Sequence, residues 1–426
     1  MSVIAKARSF AKKMPLGVLT AFGASKALQL AVALVIARTM SKDLAGGAFY
    51  LVGLVAFNQV VAGLGLDNFA SYIYPRMKRA AAGRARMWPY INFALLVSVP
   101  VGAAISLPIF FEDAQRSPAT SAYLFGIVIV CTVTAVLRRV ARVVFLGEAQ
   151  RVRGIIHESA ANSAMLIVLF LLFPAHSAED VGTLIFFSFI GAGLWSWWDL
   201  RRALPPRDRA RPAVPRWRAA RVLTLLALPS LVSQAAAQVL NRADVLILAP
   251  LSSASEVANY SAAIRITFLL QAIVELTNFV YGTRILAAGT MAPDARARLA
   301  KRILVQTGAL TLAVSLPVLV FARPLLLLFG PDYVEAAPVL QLLTLGKICT
   351  APFGPLMTLF VVLGQNRRLA TIIAIAAVIN VSIDITLVPS LGALGAAIGS
   401  LTALALMGVG YVILFRLVLV TRSGGG

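Results

Sequence analysis

RRALPPRDRARPAVPRWRAAR, residues 201–221, carries eight arginines and four prolines between the apolar runs 181–200 and 220–249. Proline has no amide proton and fixes φ, so four of them disfavour a continuous helix here. A basic, non-helical stretch stays in water, whereas the runs beside it are long enough to cross a bilayer as helices. Further apolar runs lie at about 14–38, 44–66, 88–111, 119–143, 158–174, 256–283, 303–322, 334–362, 369–388 and 394–420, giving about twelve spans. The expected architecture is an all-α polytopic membrane protein: an N-terminal six-helix bundle over 1–200, a basic linker over 201–219 and a C-terminal six-helix bundle over 220–426.

Composition supports this reading. The chain of 426 residues is 59% hydrophobic and only 13% charged, with a mean hydropathy of +0.86. A net charge of +22 is compatible with nucleic-acid binding, but thirty-one of the 39 lysines and arginines fall in alternate gaps between apolar runs. Only Arg38, Lys42, Arg116 and Arg323 fall in the other gaps. That asymmetry is the positive-inside pattern, which puts both termini and the 201–221 stretch in the cytoplasm and the basic flanks against anionic lipid, with no role for nucleic acid. The first run, preceded by Lys12 and Lys13, is too long for a cleavable signal peptide and is expected to remain as the first span. Cys131 and Cys349 both lie inside apolar runs and imply no disulfide framework.

The two halves echo one another. Leu146, Gly147, Arg151, Ile155, Ile156 and Ala160 recur as Leu363, Gly364, Arg368, Ile372, Ile373 and Ala377 at a constant spacing of 217. Six spans per half, both halves starting inside, point to a parallel repeat of the kind transporters use.

The C-terminal half resembles a family. Ala243-Asp244-Val245-Leu246-Ile247-Leu248, followed by Val257-Ala258-Asn259-Tyr260-Ser261-Ala262-Ala263-Ile264-Arg265, is similar to the seventh and eighth helices of the Wzx-type polysaccharide flippases. Leu328-Phe329-Gly330-Pro331-Asp332-Tyr333, Gly364-Gln365, Asn380, Pro389 and Gly395-Ala396-Ala397-Ile398-Gly399 extend the resemblance, and Ala37-Arg38, Phe49-Tyr50 and Gly63-Leu64-Gly65 add the first half. The superfamily also contains multidrug exporters and lipid II flippases. The resemblance implies two pseudo-symmetric six-helix bundles around a central cavity in a bacterial inner membrane. It further implies movement of an undecaprenyl-pyrophosphate-linked oligosaccharide from the inner to the outer leaflet by alternating access, in polysaccharide biosynthesis alongside a polysaccharide polymerase.

Charges inside the spans mark candidate sites. Lys26, Arg242, Arg265 and Lys347 lie at membrane depth. An ionised side chain there is costly unless it faces water or a partner. Facing a cavity, the four would offer a pyrophosphate an electropositive track, arginine being able to grip phosphate oxygens in pairs. The alternative is internal pairing, Arg242 with Asp244 and Arg265 with Glu275. Asp244, Glu275 and Asp384 are candidates for coupling through a proton or Na⁺, salt bridges being the other use for buried carboxylates. Pro229, Pro352, Gly354 and Pro355 are candidate hinges, where missing backbone hydrogen bonds allow bending. No catalytic constellation, metal motif or phosphate loop is evident, and His157 and His176 read as isolated residues near membrane edges. Function is therefore expected to be transport without a cofactor. Three readings remain: a lipid-linked oligosaccharide flippase, a multidrug or lipid exporter of the same superfamily, and a membrane enzyme of polysaccharide assembly such as a polymerase. Buried cations favour the first, since cationic drugs call for acids and the short outer gaps suit no polymerase.

Overall fold

A computed structural model describes residues 16–63, 87–114, 118–148, 150–205, 238 and 240–420. Every regular element among them is helical. The spans are α1 (Leu16–Thr39), α2 (Lys42–Ala62), α3 (Met87–Ala114), α4 (Pro118–Gly147), α5 (Arg151–Leu172) and α6 (Ala178–Ala203). They continue with α7 (helical over 240–251), α8 (Ala254–Ala287), α9 (Pro293–Val320), α10 (Ala337–Thr350 and Gly354–Val362), α11 (Asn366–Leu391) and α12 (Ala393–Phe415). Among the described residues, eleven helices are long and apolar enough to cross a membrane. Large apolar side chains such as Leu171, Leu172, Leu194, Val320, Val378 and Val409 are exposed on them. Such side chains belong against lipid rather than water, and the chain is a multi-pass membrane protein.

Hydropathy places helix ends less well than it places helices. The apolar run expected over 158–174 belongs to a helix starting seven residues earlier at Arg151, and α9 begins at Pro293 rather than near 303. Polar residues leave the hydrocarbon, but the hydrogen-bonded spiral continues through them into the headgroup layer. Caps define several starts: Ser41 accepts from the Leu44 amide, Ser253 from the Glu256 amide, and Ser177 forms a reciprocal capping box with Asp180. At the α11–α12 turn, Gly392 has φ of 53°, and a Cβ there would lie 2.6 Å from the Glu256 carboxylate. Glu256 in turn accepts from the Ala393 amide at 2.7 Å, so α8 caps the start of α12.

The chain forms two compact units, Gly17–Gln238 and Val239–Gly426. In the N-terminal unit α4 packs against α2, α3 and α6, around a core that includes Met87, Trp88, Ile91, Val144, Phe145 and Leu200. The helix α6 continues through Arg201 and Arg202 to Ala203, taking up the first residues of the expected linker, and Trp88 Nε1 donates to the Pro205 carbonyl at 3.0 Å. The rest of the linker, and the candidate hinge Pro229, lie outside the described residues.

In the C-terminal unit α12 packs on α10 and α11 through small buried residues, including Gly395, Ala396, Gly399, Ser400, Ala403 and Gly408. Small residues let helix backbones approach where lipid offers no hydrophobic drive to associate. A Cβ added at Gly408 would come within 2.8 Å of the Cys349 carbonyl of α10.

Candidate functional site

Arg242 on α7 and Arg265 on α8 flank one aromatic ring. Each guanidinium carbon lies 5.8 Å from the centroid of Phe268, and the two cations are near enough to repel. Arg265 and Phe268 are three residues apart on one helix and share a face. Arg242 and Asp244 are two apart, about 200° around a helix, and so point in opposite directions. Internal pairing of Arg242 with Asp244 is therefore not formed. Among the described residues neither guanidinium has a carboxylate in ion-pair range. Two half-buried like charges thus share one ring, and neither supplies the other with a counter-charge.

Asp244 instead belongs to a buried carboxylate cluster. Its Oδ2 accepts from the Tyr260 hydroxyl of α8 and from Ser400 Oγ of α12, the latter at 2.6 Å. Asp384 on α11 lies within hydrogen-bonding reach of Asp244 and accepts from Asn380 Nδ2, one turn earlier, at 3.3 Å. Both aspartates are essentially inaccessible. Their Oδ1 atoms and Asn380 Oδ1 are buried and, among the described residues, lack hydrogen-bond partners. Carboxylates in contact in an apolar interior repel unless a proton or cation joins them. Lys347 on α10 is half-buried and within electrostatic range of Asp244 without forming an ion pair. The structure thus assigns Lys347 to the surroundings of the carboxylates rather than to the arginine pair. Glu275 lies 15 residues beyond Tyr260 on α8, about 22 Å along a straight helix, and is remote from this cluster.

In the N-terminal unit Lys26 is half-buried on α1, its Nζ 5.3 Å from the Phe22 ring one turn away. The candidate hinge in α10 is a real break. Regular helix stops at Thr350, a 3-10 turn covers Ala351–Phe353, and helix resumes at Gly354. Pro352 and Pro355 withhold two amide protons there. The turn packs against α9, and Gly354 sits so close to α8 that a Cβ would fall 2.2 Å from Val274 Cγ1.

The reading of His157 as an isolated residue is corrected. It is buried, with Nε2 2.8 Å from Asp199 Oδ2 and Nδ1 2.9 Å from Ser196 Oγ. Its partners lie 42 and 39 residues away on another helix, so no local motif announces them. The only sequence signal was the polar Ser196 and Asp199 one turn apart within an apolar run. Among the described residues no cluster of three or more metal-ligating side chains occurs.

Comparison with known proteins agrees with this architecture. Residues 229–386, which contain the arginine pair and all of the carboxylate cluster but Ser400, match the MatE family. No curated protein matches the chain. Among solved structures, an inward-facing multidrug resistance MATE family transporter of the MOP superfamily is 16% identical, with a TM-score of 0.71 over 97% of this chain and 100% of its own. Lipid II flippase MurJ in an inward closed conformation is 13% identical, with a TM-score of 0.74 over 94% of this chain and 87% of its own. A MOP superfamily transporter from Pyrococcus furiosus, whose binding pocket is described as having reverse polarity, is 16% identical, with a TM-score of 0.56 over 94% and 93%. The chain has the fold of the MATE and MurJ transporters of the MOP superfamily, and its residues 229–386 match the MatE family.

Proposed function

We propose that this protein is a transporter, not an enzyme, and that it flips an undecaprenyl-pyrophosphate-linked oligosaccharide from the inner to the outer leaflet of a bacterial inner membrane. The fold is shared with exporters and with a lipid II flippase. The observation that supports this substrate class is the Arg242–Phe268–Arg265 arrangement, two guanidiniums within the apolar helices without a carboxylate in ion-pair range among the described residues. A cationic drug would be repelled there, whereas a pyrophosphate would satisfy both.

Coupling follows from the carboxylate cluster. Asp244, Asn380, Asp384 and Ser400 would hold a proton or Na⁺, and bound positive charge would relieve the repulsion between the two aspartates. Bending at Pro352, Gly354 and Pro355 would let α10 respond to that change.

The test is export of the surface polysaccharide in a deletion strain carrying Arg242→Glu or Arg265→Glu. A charge-assisted contact to phosphate is worth about 1.5–3 kcal/mol, so each reversal is expected to cut export about tenfold or more. Lipid-linked oligosaccharide should accumulate on the inner leaflet, where mass spectrometry of extracted lipid identifies it. Unchanged export with both reversals would dismiss this substrate class.

A further inference from the structure

A buried imidazole at the basic end of the N-terminal unit has no part in the arginine pair or the carboxylate cluster. His157 is 1% exposed. Phe145 stacks on its ring at 4.9 Å with an interplanar angle of 13°, and Trp195 lies 4.6 Å away. Ser196 and Asp199, three residues apart and so on one face of α6, engage its two nitrogens. Held in this way, the ring cannot turn to find other partners.

The hydrogen bonds then set how many protons the cluster carries. Ser196 Oγ is also 2.9 Å from the Ala192 carbonyl oxygen, to which its single proton can go. In that arrangement Ser196 accepts from Nδ1–H, and the contact between Nε2 and Asp199 needs a second proton, on the ring or on the carboxyl. Turning the hydroxyl proton towards Nδ1 instead leaves a neutral imidazole whose Nε2–H donates to Asp199. The two states differ by one proton and one hydroxyl rotation, with every heavy atom in place.

Burial away from water opposes a charged ring, and the surrounding charges act in both directions. Asp199 favours the loaded form. Arg138 of α4, buried with its guanidinium 4.7 Å over Phe189, opposes it, as does Arg153 of α5. Arg142 of α4 is neutralised by Glu158 of α5 at 2.5 Å. Loading gives an imidazolium–carboxylate pair of zero net charge, and unloading leaves one negative charge, on Asp199. A second, independent feature coincides with the site: Ile156–Ala160 forms a single π turn, and it contains His157 and Glu158. Such turns inside α-helices are uncommon and concentrate at functional positions.

We propose that His157, Asp199 and Ser196 form a proton-binding site of the N-terminal unit, separate from the carboxylate cluster, and that its loading sets how the π turn of α5 packs on α6. The ligand is a proton, and imidazole is the side chain suited to bind and release one near neutral pH.

The chain has two histidines, so His176→Asn leaves His157 as the lone imidazole. Solid-state NMR of that variant, labelled with ¹⁵N-histidine and reconstituted in liposomes, reads the ring directly. Between about pH 5 and pH 8 the signal is expected to pass from a doubly protonated ring to a neutral one carrying hydrogen on Nε2. Asp199→Asn should lower the ratio of doubly protonated to neutral ring about tenfold at the acidic end, as loss of a charge-assisted hydrogen bond requires. If that variant does not fold, Ser196→Ala is the substitute, and it should abolish the pH-dependent hydrogen-bond shift at Nδ1. Amide exchange at 156–161, corrected for intrinsic rates, should differ between the two pH values in the wild type and not in His157→Gln. A ring that stays neutral throughout, a ratio unchanged in Asp199→Asn, or an exchange difference that survives in His157→Gln would overturn the proposal. None of these readouts involves the transported substrate, so they stand or fall independently of the flippase reading.

Discussion

At Gly399 of α12 the absence of a side chain is what lets the carboxylate cluster exist. A Cβ there would lie 2.2 Å from Asp384 Oδ1, an oxygen that is buried and without a hydrogen-bond partner among the described residues. Gly399→Ala is therefore expected to push Asp384 away from Asp244 while leaving Tyr260 and Ser400 bonded to Asp244. Export driven by an ion gradient should fall about tenfold, a shift of well under 1 Å in a bound charge being enough to cost ~1.4 kcal/mol. Overpacking should also lower thermal stability by about 1–3 kcal/mol, so export is compared at a temperature where the variant remains folded. Two carboxylates of this site, Asp244 and Asp384, were legible in the sequence; Tyr260, Asn380 and Ser400 were not among the candidates, and Glu275, which was, lies elsewhere on α8. Asp244 and Ser400 are 156 residues apart, and only the folded unit shows that Ser400 and Tyr260, rather than Arg242, take the carboxylate. Charge and burial pick out residues that need partners. They do not say which partner is nearest, and for His157 they led to the wrong answer.

Helices were the most legible level, because a segment in lipid must satisfy its backbone internally and long apolar runs leave no other structure. What hydropathy could not supply was the break in α10, where apolarity continues unbroken from Leu340 to Leu363 apart from Lys347 and a few small polar residues. Proline and glycine marked the break, and the structure shows that α8 and α9 hold it. Val274 occupies the space where a Cβ of residue 354 would go. Gly354→Ala should thus destabilise the protein by about 1–3 kcal/mol, the usual cost of overpacking. Val274→Ala in the same chain should restore most of the loss by vacating that space. Melting of the purified protein in detergent measures both. If the single variant melts as the wild type does, α10 is free to move away from α8 and the close approach is not structural. If the double variant recovers stability but not export, the break matters for motion as well as for packing.

Across the whole molecule, orientation rests on the basic residues and on the parity of the spans. Eleven spans lie in the described residues, and the described part of α7, 240–251, is only about 18 Å long, too short by itself to cross a hydrocarbon core of about 30 Å. The apolar residues from 220 onward would supply the remaining length. If they do, the chain crosses twelve times and Arg209 and Ser253 lie on opposite sides; if they do not, the two lie on the same side. The distribution of lysine and arginine demands the first outcome, since the gaps beginning at Arg76, Arg138, Arg201, Arg284 and Arg367 are basic while those at Lys42, Arg116 and Arg323 are sparse. Alkaline phosphatase, active only outside the cytoplasm, is expected to be active when fused after Gln115 and Ser253 and inactive after Arg209 and Gln365. A cytoplasm-dependent fluorescent reporter should give the reverse at all four sites. Activity after Arg209 would invert the whole topology. Inactivity after both Arg209 and Ser253 would remove α7 as a span, and with it the membrane depth at which Arg242 is placed opposite Arg265.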